Sequence, residues 1–198
     1  MLDNFWFNVQ YGINHVLDPR GYDHVLFLAL IAVPYLFKDW KRLLLLVSMF
    51  TLGHTLSLIL AAYDVVRVNG SLVEFLIPIT ILIAAIFNVL NAGKKTTTQK
   101  TGLLFFTTLS FGLIHGLGFA REFKMLVGQY EHKAMLLLEF ALGIEMAQLI
   151  IVFVVLFLGF LLQTLFKLSR RDWIMVLSAI IIGLVIPMLV ESELFNAS

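Results

Sequence analysis

Four stretches of this chain carry polar side chains of metal-binding or proton-handling type inside, or at the mouth of, long apolar runs. The first is His15-Val-Leu-Asp-Pro-Arg-Gly-Tyr-Asp-His24, which brings His15, Asp18, Asp23 and His24 to the start of the first apolar segment. His54 lies in Phe50-Thr-Leu-Gly-His-Thr-Leu-Ser57, and His115 in Phe111-Gly-Leu-Ile-His-Gly-Leu-Gly-Phe119. Glu145 and Gln148 are three residues apart, so on a helix they share a face. Ionisable groups buried among apolar residues in a membrane are costly, and they face a bundle interior or a polar cavity. With no cysteine in the chain, a His, Asp and Glu donor set suits a divalent first-row ion such as nickel, cobalt or zinc. Three imidazoles from three helices could also hold zinc with one position left for water.

The supporting residues read less sharply. Asp23 either ligates or orients His24, and Asp18 before Pro19 reads as a helix N-cap. Glu74 and Glu139 are further carboxylates that either join the site or sit at the wet interface. Ser57 faces His54 at i+3, but nothing marks it as an activated nucleophile. His132, between Glu131 and Lys133, reads as solvated loop. Phosphate-binding glycine loops and HExxH are absent.

The elements that must position these residues follow from composition. Of 198 residues 60% are hydrophobic and only 14% charged, with mean hydropathy +0.95. A soluble domain of this size cannot hide so much apolar surface, so the expected fold is an all-α transmembrane helix bundle forming one domain over 1–198. A net charge of +1 argues against a nucleic-acid partner. The expected partners are the lipid bilayer and a metal ion, and self-association into a homo-oligomer is compatible with both.

Apolar segments run over 19–37, 42–62, 72–91, 101–120, 133–166 and 172–190, giving about six spans. Residues 5–17 are amphipathic, aromatic and too short to span. They are expected at the interface or tucked back against the bundle. Pro34, Pro78 and Pro187 are expected to kink their spans. Loops 38–42, 92–100 and 167–171 hold nine Lys and Arg against five on the opposite side, which puts those loops in the cytoplasm and both termini outside. Counted from the cytoplasmic ends, His24, His54 and His115 fall at roughly 18–23 Å, a single layer in the outer half of the membrane. Glu145 counts out at roughly 33 Å from Lys167, and joins that layer only with tilt or an extended helix. Gly53, Gly112, Gly116 and Gly118 are expected to let the helix backbones approach and bring the imidazoles together.

His15…Asp23-His24, Phe50-Thr-Leu-Gly-His54-Thr, Val73-Glu74, Phe111-Gly-Leu-Ile-His115-Gly and Gly143-Ile-Glu145-Met-Ala-Gln148 together resemble the second branch of the HupE/UreJ family. The resemblance runs through the first five spans. It implies a small polytopic protein of the bacterial inner (cytoplasmic) membrane, a nickel or cobalt permease whose first-span His and Asp-His handle the metal. His15, Asp23, His24 and His115 carry over residue by residue. The chain departs from the better-studied branch in having seven residues between His15 and Asp23 instead of five. Its fourth-span motif also keeps one histidine and no acid, where that branch has two histidines and a glutamate.

Two functions fit these features. The first is a divalent-metal permease using the His/carboxylate site. Its difficulty is that, below the histidine layer, only Ser48, Asn88, Thr107, Thr108, Ser110 and Ser178 are available to pass a dication onward. The second is an intramembrane zinc hydrolase with metal on His24, His54 and His115 and with Asp23 or Glu145 as general base.

Overall fold

A computed structural model describes residues 2–94, 101–128 and 133–192. Thr96-Thr-Thr-Gln99, which by composition reads as a flexible linker, lies outside the described residues, as do Lys95, Lys100, Glu131 and His132. The all-α expectation holds: the described residues form seven α-helices and no strand. They are α1 (Leu2–Leu17), α2 (Asp23–Ala32), α3 (Trp40–Ala62), α4 (Gly70–Asn91), α5 (Thr101–Val127), α6 (Lys133–Leu165) and α7 (Arg170–Glu191), with a 3-10 turn at Phe37–Asp39 before α3. Five of them, α3 to α7, are long and apolar enough to cross a membrane. Large apolar side chains such as Leu90, Phe106, Leu138 and Phe153 stand exposed on their outer faces, as lipid contact requires.

The first apolar segment differs from its expected form. Only the ten residues of α2 are helical, about 15 Å at 1.5 Å per residue and so half of a hydrocarbon layer. Asp18 and Pro19 build a turn instead of opening the helix. The Asp18 carboxylate accepts from the Arg20 N–H at 2.9 Å, and its carbonyl accepts from the Gly21 N–H at 3.1 Å. Such local bonds offer the backbone an alternative to helix, and the helix starts only after Gly21 and Tyr22. At the other end Pro34 stops α2 instead of kinking it. Proline has no N–H for the Leu30 carbonyl four residues back. Asn88 of α4 takes that place, its Nδ2 donating to Leu30 O at 2.8 Å. The Pro34 carbonyl in turn accepts from Arg170 at the start of α7. Pro78 and Pro187, by contrast, lie inside continuous helices.

Backbone contacts between glycines and neighbouring helices set the core. On α3 and α5, a Cβ at Gly53 would meet Leu109 O at 2.2 Å, one at Gly112 would meet Phe50 O at 2.2 Å, and one at Gly116 would meet His54 O at 2.4 Å. The two helices therefore touch along their backbones, as the glycine pattern suggests. Gly118 faces α4 instead, against Ile77. The same device fixes α1. A Cβ at Gly12 would lie 2.3 Å from Phe140 O, and one at Gly143 2.0 Å from Val9 O. Of the two placements open to residues 5–17, the tucked one is found, with α1 laid along α6. The latter is a single helix of 33 residues, about 50 Å long, and exceeds any bilayer's hydrocarbon thickness.

Away from the basic 38–42 loop, α3 closes on a left-handed residue. Asp64 has φ 58°, the Val65 N–H reaches back to Leu60 O, and the Asp64 N–H to Ala61 O, which is the Schellman pattern. Lys124 at the end of α5 pairs with the Asp64 carboxylate and holds its pKa below the ordinary carboxylate range.

Candidate metal centre

Three helices bring imidazoles to a common place, and a fourth adds one beside them. His15 comes from the last turn of α1, His24 from the first turn of α2, His54 from mid-α3 and His115 from α5. Ring centroids lie 4.8 Å apart for His15 and His24, 5.3 Å for His24 and His54, 5.5 Å for His15 and His54, and 5.4 Å for His24 and His115. One nitrogen each of His15, His24 and His54 falls within 4.8 Å of the other two. His24, His54 and His115 are buried, while His15 and Asp23 are half-buried beside the exposed 17–20 turn.

The hydrogen-bond pattern gives these rings a direction. His24 Nδ1 meets Asp23 Oδ1 at 3.2 Å, and His115 Nδ1 meets Phe111 O at 2.9 Å. An acceptor at Nδ1 fixes the proton there and leaves Nε2 as a free lone pair. In all four histidines Nε2 is buried without a hydrogen-bond partner, and His54 has none at Nδ1 either. Buried polar atoms are normally paired, so the unpartnered nitrogens of His15, His24 and His54 in one place, with that of His115 beside His24, call for a ligand. Imidazoles oriented through the other nitrogen are the arrangement in which proteins hold divalent first-row cations.

The remaining candidates separate. Asp23 touches His24 and orients it. Glu139 is buried and accepts from Asn8 Nδ2 of α1 at 2.6 Å, while Glu74 is exposed. The Ser57 hydroxyl donates to His54 O at 2.7 Å and packs against Gly116, so it belongs to the α3–α5 contact. Glu145 and Gln148 are not among the imidazoles. Glu145 accepts from Ser48 Oγ at 2.7 Å and bonds Thr51 Oγ1, and Thr51 also meets Gln148 Oε1 at 2.9 Å. Ser48 and Thr51 precede His54 by six and three residues, placing this group one to two turns towards the basic end of α3. The count from Lys167 misplaced Glu145 because α6 is longer than the layer it crosses. Thr51, Asn8, Gly12 and Gly143 were not singled out from the sequence. The signals were there, as Ser48, Thr51 and His54 at intervals of three and as single glycines in α1 and α6.

On the basic side the imidazoles rest on phenylalanines. The Phe27 ring lies 5.0 Å from Phe50, 5.3 Å from Phe111 and 5.2 Å from His115, and Phe50 lies 5.2 Å from His115. Beyond Phe27 and Phe111 is a cavity of about 300 Å³ between α2, α3, α4 and α5. Three polar residues of its lining are already engaged with backbone: Asn88 with Leu30 O, Thr107 with Leu103 O and Thr108 with Leu104 O.

A bundle of apolar spanning helices around a buried imidazole cluster defines a polytopic membrane protein. The chain belongs to the HupE/UreJ family, matching the family described as HupE / UreJ protein over residues 1–192. Comparison with curated proteins and with solved structures gives no match.

Proposed function

We propose that the protein is a permease for a divalent transition metal of the nickel, cobalt or zinc type, and that the ion is its cargo. The observation that carries this reading is the set of four buried, unpartnered Nε2 atoms on four different helices. A ligand set shared among separate helices can bind or release an ion through small helix shifts. Membership of a family associated with nickel and cobalt transport supports the same conclusion. The Lys/Arg asymmetry supports an orientation in the bacterial inner membrane with the 38–42 and 167–171 loops cytoplasmic and both termini outside. The ion then enters beside the 17–22 turn and meets His15 and His24 first, with Asp23 contributing negative charge and orienting His24. Phe27, Phe50 and Phe111 close the site towards the cytoplasmic half.

The test is uptake of Ni²⁺, Co²⁺ and Zn²⁺ into proteoliposomes containing a trapped metal indicator, with His24→Ala, His54→Ala and His115→Ala as variants. Wild type should take up at least one ion, and each variant should lose most of that flux. Double variants should add little to the singles, as expected for ligands of one ion. A wild-type protein that passes no ion, yet purifies with one tightly held zinc per chain, would overturn transport in favour of the zinc hydrolase.

A further inference from the structure

We propose that Glu145, Gln148, Thr51 and Ser48 form a second, all-oxygen cation station, which takes the divalent ion from the imidazoles on its way to the cytoplasm. The proposal rests on the permease reading and deepens it, because the histidine layer by itself has no partner to pass the ion to.

The geometry starts from a shortage of hydrogens. Thr51 Oγ1 has one proton, yet three acceptors surround it: Val47 O at 3.3 Å, Gln148 Oε1 at 2.9 Å and the nearer Glu145 Oε2. The Ser48 proton is already directed to Glu145 Oε1 at 2.7 Å. With the carboxylate ionised, two hydroxyl protons serve five side-chain oxygens, and lone pairs face lone pairs around Thr51. Gln148 is fully buried, and its Nε2 has no partner. Turning the amide over would give Thr51 a donor but strand Oε1 in its place. In either orientation Gln148 keeps one polar atom unmatched, which is unusual for a buried side chain. A cation among Glu145, Thr51 and Gln148 supplies the positive charge that the crowded oxygens lack.

Position and ligand chemistry agree with a relay. Of the other small polar residues of the cytoplasmic half, Thr107, Thr108 and Ser110 are bonded to their own helix and Asn88 to α2, while Ser178 on α7 is buried without a partner. Ser48 and Thr51 instead reach across to α6. Thr51 lies one turn from His54, a rise of about 4.5 Å, so the step between stations is short. One carboxylate with neutral oxygens binds a first-row dication more weakly than imidazoles do, and it lets the ion keep some of its water.

Two measurements on the full-length protein test the station. The first is Mn²⁺ binding in detergent, followed by electron paramagnetic resonance, since manganese favours oxygen ligands. Wild type and His54→Ala should bind Mn²⁺ alike, while Glu145→Gln should lose at least about tenfold in affinity and Ser48→Ala a smaller factor. The second is Ni²⁺. Glu145→Gln should bind it at the imidazoles within about twofold of wild type, which also reports correct folding, but its uptake into proteoliposomes should fall at least about tenfold. Equal Mn²⁺ binding in wild type and Glu145→Gln would overturn the station, as would unimpaired Ni²⁺ uptake by that variant. Mn²⁺ binding lost in His54→Ala as well would also overturn it, by making one site of the two. Failure of the wild type to transport any ion would instead remove the permease reading, and the Mn²⁺ arm would still decide whether these oxygens bind a cation.

Discussion

Gly112→Ala should weaken ion binding at least about tenfold without altering a ligand side chain. The added Cβ would sit 2.2 Å from Phe50 O, 3.0 Å from Phe50 C and 3.1 Å from His54 N. The closest ordinary carbon–oxygen contacts are about 3.3 Å, so α3 and α5 must part by about 1 Å at this point. No side chain can rotate to relieve the contact, because every neighbour named is backbone. His54 is four residues beyond Phe50, and His115 three beyond Gly112, so the wedge acts on both ligands directly. Metal–ligand distances tolerate about 0.2 Å, several times less than the displacement. An affinity loss of at least about tenfold, or about 1.4 kcal/mol, follows. The fold should survive. Overpacking costs about 1–3 kcal/mol, and alanine recovers about 1 kcal/mol over glycine in a helix. Calorimetric Ni²⁺ titration and a thermal melt on the same preparation separate the two effects. Gly183→Ala on α7 is the control, because its Cβ meets nothing within 4 Å, and both binding and melting temperature should be retained. Wild-type nickel affinity in Gly112→Ala would refute the idea that the α3–α5 backbone contact sets the geometry of the site.

Three further outcomes are expected. Asp23→Asn should weaken Ni²⁺ binding by about tenfold, less than His24→Ala, because it removes an orienting charge and not a ligand; equal losses in the titration would make Asp23 a ligand itself. Gly143→Ala, whose Cβ would lie 2.0 Å from Val9 O, should push α1 and His15 away, and adding His15→Ala should then change the measured affinity little. Independent, additive losses would show that α1 holds His15 by other means. Thr97→Cys introduces the only cysteine of the chain, and an impermeant maleimide added to intact cells should leave it unlabelled. Labelling from outside would reverse the proposed orientation.

What the sequence made legible depended on how local each signal was. The five long helices follow their apolar runs to within a few residues over most of their ends, since a span's length is dictated by the bilayer and written in composition. That His54 and His115 lie near His24 was also readable, because each could be counted from a nearby basic loop. Glu145 could not be counted that way. Its helix carries 33 residues through a layer needing about 20, and nothing local says at which end the surplus lies. Only its contacts with Ser48 and Thr51 locate it. Asp18-Pro19 failed for the opposite reason. The cap signature was genuine, but the bond from Arg20 N–H and the glycine that follows close a turn with the same residues. His15 was ambiguous because an amphipathic helix at an interface and one laid along a bundle have similar sequences. The deciding feature, the reciprocal Gly12–Gly143 approach, spans 131 residues of chain and has no local signature.

The order of donor types along α3 bears on why a transport protein would be built this way. His54, Thr51 and Ser48 follow one another at three-residue intervals towards the basic end, so an ion moving along this helix would exchange nitrogen for oxygen ligands. Divalent nickel, cobalt and zinc bind imidazole well, and a layer of imidazoles alone would capture the ion and hold it. Release requires somewhere of lower affinity within reach, and one carboxylate among hydroxyl and amide oxygens has that character. The imidazoles would then set which ion enters, and the oxygens how fast it leaves. Substitutions in the two groups should accordingly differ in kind, with losses at the histidines appearing in binding and losses at Glu145 appearing in flux.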